Sequence, residues 1–178
     1  MSEARTAAGA AIIYQLAPIT NLAAALSKGI APERAGRFCG DQHHAIQANH
    51  PSWIFGHLCL YPGRVGSLLG IKNASLSTPE PWEDLFGPNS SCVDDADGSV
   101  YPPLDELVAT FQAVHESVRD VIAAVEEPAF AAPTPVERYR GRFPTVLAAV
   151  GFLMGPHAMF HLGQLSTWRR VEGLGSAM

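Results

Sequence analysis

A run without charge constrains this chain more than any other feature. No Asp, Glu, Lys or Arg occurs between Arg142 and Arg169, and a segment of that length has to be covered on most of its circumference. Wound as an α-helix at about 100° per residue, it places Val146, Val150, Leu153, His157, His161, Gln164 and Trp168 on one narrow stripe. Two imidazoles one turn apart on an inward stripe are spaced to reach a single metal ion. The competing reading is a pair of core histidines, each needing a hydrogen-bond partner whose absence costs about 1–3 kcal/mol. A membrane span is long enough on paper. Gly155-Pro156, the two histidines and Gln164 argue against it. A third ligand from elsewhere in the chain decides between metal site and core.

The remaining composition narrows the class. A chain of 178 residues with 47% hydrophobic and 16% charged residues is expected to fold as one domain, residues 1–178, with a substantial core. The net charge of −5 with 12 basic residues gives no basic stripe, which disfavours nucleic-acid binding. Cys39, Cys59 and Cys92 are odd in number and widely spaced. They form neither a zinc-finger pattern nor a disulfide framework, which fits a reducing, cytoplasmic setting. The N-terminal run is too polar for a secretory signal.

Taken in order, the chain reads as all-α. A helix is expected over about residues 4–28, with Ile12, Leu16, Ile19, Ala23 and Leu26 as its buried stripe, Gly29 as its stop, and a kink or break near Ala17 ahead of Pro18. Residues 29–49 read as a connection, with a short turn around Asp41–Gln47. Asn49 or His50 caps a second helix, over about residues 50–69, with Pro51 at its first position. On its apolar face lie Trp53, Ile54, His57, Tyr61, Arg64 and Val65, and Pro62 bends or shortens it. His57 is the third inward imidazole.

Residues 71–102 read as a long loop with six acids and one base, pinned by Trp82, Leu85 and Phe86. No EF-hand spacing is present, so a solvated acidic loop is expected rather than a calcium site. A third helix spans about residues 103–125, with the cleanest amphipathic period and His115 on its buried stripe. A Pro-rich linker then leads to the fourth helix, over about residues 144–172, stopped by Gly173 and Gly175.

The segments His50-Pro-Ser-Trp-Ile-Phe-Gly-His57-Leu58 and His157-Ala-Met-Phe-His161-Leu-Gly-Gln-Leu165, in that order on two helices, resemble the DinB/YfiT-like family of metal-dependent proteins. Trp168-Arg169-Arg170 and Gly173 are similar to that family's closing pattern. The likeness is strongest over residues 49–70 and 144–175. It implies a four-helix bundle with long cross-over connections, often a homodimer. His57, His157 and His161 would hold a divalent ion such as zinc, nickel, manganese or iron. Characterised relatives include S-transferases and isomerases that use a low-molecular-weight thiol. The acidic loop and Pro18, Pro62 and Pro156 depart from the family's simplest pattern.

Three neutral imidazoles leave coordination positions open, as a catalytic site requires. The first expectation is a metal-dependent enzyme on a small-molecule substrate, activating a thiol for transfer or a water for hydrolysis. Gln164 would bond the bound species or an outer group, Tyr61 and Arg64 would meet an anionic substrate, and His115 would be a fourth ligand, an outer partner or a plain core residue. Two alternatives stand beside it: a non-catalytic bundle that holds metal for stability or sensing, and an interaction module. The back of the last helix, with Phe152, Gly155, Met159, Gly163 and Ser166, is uncharged. It is therefore expected to be covered by a second copy or by the loop 71–102.

Overall fold

A computed structural model describes residues 4–40 and 44–177, and among these every regular element is helical. Two isolated antiparallel bridges, Cys39 with Ile46 and Pro133 with Thr145, are the only extended pairings among the described residues. Four long helical stretches carry the core: α1 (Ala7–Ser27), α3 with α4 (Pro51–Cys59 and Tyr61–Leu68), α6 (Leu104–Ala123), and α8 (Val146–Phe152) running into α9 (Ala158–Val171). Shorter helices interrupt the connections: α2 (Pro32–Ala35), α5 (Pro81–Phe86) and α7 (Glu127–Ala131). α6 packs against α1, α3 and α4, while α9 packs against α1 and α3. This arrangement brings α3, which carries His57, beside α9, which carries His161.

Each long helix forms for reasons visible in its residues. Thr6 caps α1 by accepting from Gly9 N–H at 3.0 Å, and Ile12, Leu16, Ile19, Ala23 and Leu26 are all buried along one stripe. Pro18 does not break the helix as expected, because the carbonyl it leaves unpartnered belongs to Tyr14, on the exposed side where water can satisfy it. Pro62 has the opposite effect. The helix divides at Leu60, whose N–H turns back to the His57 carbonyl at 3.2 Å. His50 caps α3, its Nδ1 accepting from Trp53 N–H at 3.3 Å, with Pro51 at the first position. All nine residues of α3 are buried, so this helix is enclosed rather than one-sided.

The last helix differs most from the regular stripe. Pro156 lies inside a wide π-turn, Leu153–His157. Downstream of Val146 and Val150, the buried positions become Met154, Ala158 and Leu162. A four-residue step would carry a regular helix off its face by about 40° each time, and the wide turn absorbs this drift. Leu153 is consequently only half-buried and Met154 takes its place. Gly173 (φ 74) ends α9 in a Schellman motif, with Leu174 N–H to the Arg169 carbonyl at 2.9 Å and Gly173 N–H to the Arg170 carbonyl at 3.2 Å. Buried Arg169 donates to the Leu26 and Lys28 carbonyls at 2.9 and 2.5 Å, tying the ends of α1 and α9 together.

The connections are more structured than their sequence suggests. Within residues 71–102, α5 seats Trp82 and Phe86 in the core, as their apolarity requires, and Leu85 is half-buried. Of the loop's acids, Asp95 alone is buried, and it accepts N–H donors from Ser99, Val100 and Tyr101 at 3.0–3.2 Å. Asp41–His43, where part of a short turn was expected, lie outside the described residues; His44–Gln47 contain the bridge and no helix.

By length and composition alone, Ala7–Ser27 and Val146–Val171 could each cross a membrane. In the fold both contribute side chains to the same core.

Candidate metal centre

His57 comes from the last turn of α3, His157 from the end of the π-turn and His161 from the first turn of α9. One nitrogen from each lies within 4.8 Å of the other two. The ring centroids of His57 stand 5.4 Å from those of His157 and 4.6 Å from those of His161. An ion with bonds of about 2.1 Å in tetrahedral array needs donor separations of about 3.4 Å.

The hydrogen bonds around the cluster fix which nitrogens are free. His57 Nδ1 faces the Phe86 carbonyl at 2.7 Å. A carbonyl only accepts, so Nδ1 carries the proton and Nε2 keeps its lone pair. His161 Nδ1 likewise faces Gln164 Oε1 at 3.0 Å, and the same oxygen accepts from Asn49 Nδ2 at 3.2 Å. Both rings are therefore oriented from behind, as ligand imidazoles are. His157 Nδ1 is buried and meets no hydrogen-bond partner among the described residues. An orphaned imidazole nitrogen beside the Nε2 lone pairs of His57 and His161 is the donor set that a divalent cation satisfies.

Electrostatics keep all three neutral. Burial pushes His57 down to about 4 and His157 down to about 3, with neighbouring imidazoles and Arg64 adding to the effect. Burial also lowers His161, against the opposing bond from Gln164. At neutral pH the site presents lone pairs and no proton to displace. Trp53 lies flat on His57, with centroids 4.5 Å apart and planes at 16°, which shields that ring from water.

The other expected residues divide. Gln164 stands behind His161, as described, and does not face a reacting position. Tyr61 reaches the cluster: its hydroxyl is 3.1 Å from His57 Nε2 and its ring centroid 4.1 Å from that of His157. Arg64 lies over the Tyr61 ring, 4.9 Å from its centroid, and pairs with Glu83 at 2.6 Å. His115 is not part of the group. It is buried on α6 with Nδ1 bonded to the Phe111 carbonyl at 2.9 Å, which leaves it a core histidine.

Sequence reasoning missed Phe86, Asn49 and Glu83. Phe86 acts through its backbone carbonyl, which no side-chain pattern reveals. Its ring rests on Gly56, where a Cβ would overlap it, so the glycine one residue before His57 was the available signal.

The larger cleft, about 940 Å³, lies between α2, the residues after Asp95 and the start of α6, and a smaller one of about 300 Å³ lies between α1 and α6. Neither is lined by any of the three histidines. Comparisons with protein-family models, with curated proteins and with solved structures give no match to this chain.

Proposed function

We propose that the protein binds a divalent metal ion through His57, His157 and His161 and is a metal-dependent enzyme of the DinB/YfiT-like kind, built as a four-helix bundle. The observation that carries the reading is the triad itself: three neutral imidazoles, His57 and His161 buried and oriented from behind, and His157 half-buried with an unpartnered nitrogen. Zinc, nickel, manganese and iron all suit three imidazole donors. When bound, such an ion supplies Lewis-acid chemistry, lowering the pKa of a water or a low-molecular-weight thiol or polarising a carbonyl.

The chain's own residues set what the site would accept. Arg64 lies over the Tyr61 ring and pairs with Glu83; an anionic small-molecule substrate would take that carboxylate's place. Tyr61 offers a phenolic donor beside it. Transfer or isomerisation on a thiol adduct, or hydrolysis, are the reactions this set serves. The cysteines do not supply a nucleophile, since burial pushes the Cys59 thiol above its usual range and raises Cys39 and Cys92 as well. A cytoplasmic location and a homodimer complete the proposal.

One observation favours a second reading, a bundle in which the ion only stabilises the fold. His57 and His161 are closely covered, His157 is half-buried, and neither cleft described above opens onto them. Two experiments separate the readings. Metal analysis of the purified protein and of His157→Ala tests the site; stoichiometric metal in the first and loss in the second is expected, and equal content in both overturns the ligand assignment. A panel of electrophiles with small thiols, with and without chelator, then tests for turnover. Chelator-sensitive conjugation or hydrolysis supports the enzyme, and a metal-loaded but inert protein supports the second reading.

A further inference from the structure

His57 is gripped at both ring nitrogens, and the two grips belong to one closed ring of contacts. Nδ1–H donates to the Phe86 carbonyl at the end of α5, at 2.7 Å. Nε2 accepts from the Tyr61 hydroxyl, one turn further along at the start of α4, at 3.1 Å. The Tyr61 ring carries the Arg64 guanidinium at 4.9 Å. Arg64 pairs at 2.6 Å with Glu83, which sits on α5 one turn before Phe86 and so closes the ring. Every lone pair and proton of this imidazole is therefore engaged.

A cation at the triad needs the lone pair that Tyr61 now holds. With Nδ1 protonated, Nε2 is the one donor atom His57 can give. We propose that Tyr61 is a positioning residue that competes with the metal ion for His57 Nε2. Its hydroxyl holds the imidazole in register before loading and yields the nitrogen on loading. Because the Tyr61 ring also packs on His157 at 4.1 Å, the phenol remains inside the site after it lets go. This inference rests on the three-histidine reading.

The competition has a sign that a packing role does not share. Tyr61→Phe keeps the ring, and with it the contacts to His157 and Arg64, and removes only the hydroxyl. If the hydroxyl competes, its loss destabilises the metal-free state alone, and zinc should bind tighter by about two- to tenfold, the worth of one hydrogen bond. Affinity for zinc ions alone is measured by competition with a chromophoric chelator at neutral pH. Thermal unfolding gives an independent check: the variant should melt lower than wild type when metal-free and equal to it when zinc-loaded. Unchanged or weaker zinc affinity in Tyr61→Phe, with wild type loading normally, overturns the competition and leaves the metal site standing. A wild-type protein that takes up no zinc removes both.

Discussion

At the scale of single residues, the histidines do different work in similar surroundings. His50 and His115 lie outside the triad, and burial pushes each down to about 4. In His50, Nδ1 accepts from Trp53 N–H while Nε2–H donates to the Val93 carbonyl at 2.9 Å; a second proton would break the cap of α3. Because the folded values lie below the unfolded value of about 6.5, the unfolded chain takes up protons first as the pH falls. The stability these residues contribute is complete above about 6.5 and declines between about 6.5 and 4, with each buried histidine adding a slope of about 1.4 kcal/mol per pH unit. Urea unfolding of the metal-free protein should show a marked loss between pH 7 and pH 5, and His115→Gln should flatten the curve by one histidine's share. A profile flat over that interval would contradict the burial argument. The triad was legible in the sequence because imidazoles stand out against apolar helix faces. Its supports were less so: Gln164 was visible as a neighbour, while Asn49 and the Phe86 carbonyl depend on how distant segments meet.

At the scale of elements, the four long helices follow from periodicity and their ends from Pro, Gly and capping side chains. Pro18 and Pro62 show the limit of that reading. The same residue type leaves one helix whole and divides the other, and the difference lies in whether the freed carbonyl faces water, which depends on the neighbours. The short helix α5 was missed inside an acidic connection, although Pro81 at its first position with Glu83 and Asp84 in its first turn is a helix start. This element matters to the site, since Gly56 admits the Phe86 ring and thereby sets the carbonyl behind His57. Gly56→Ala should force the ring outward and cost about 1–3 kcal/mol of stability by overpacking. It should also weaken metal binding, because His57 loses its orienting acceptor. Denaturant unfolding and metal titration of the variant check both effects, and a variant with native stability and affinity would show that α5 does not depend on that contact.

At the scale of the whole molecule, two neighbouring helices remain uncharged on their outer faces. α1 has no charged side chain between Arg5 and Lys28, and the last helix none between Arg142 and Arg169. Tyr14 is 84% exposed, Phe160 64% and Met159 45%. Of the residues expected to be covered on the back of the last helix, Gly155 is buried beside Gln15 of α1, whereas Met159 and Gly163 are open to solvent. The loop 71–102 places α5 against α3 and leaves them so. An uncovered apolar face of this kind is the natural seat for a second copy. Sedimentation should give twice the chain mass, and Phe160→Asp should shift it to the monomer. A wild-type protein that is monomeric without detergent would remove the dimer, and one that partitions into lipid vesicles would turn attention to a membrane-facing role for the same surface.

The wide turn at Leu153–His157 has an arithmetic consequence. A π-turn holds one residue more than its rise requires, so the segment contains a spare position. Losing that position would let the chain wind regularly with both imidazoles still in phase with α3. Straightening the turn at constant length would instead rotate everything beyond it by about 100°, carrying His157 and His161 away from their partner. In this stretch the count of residues is therefore less binding than the winding that accommodates them.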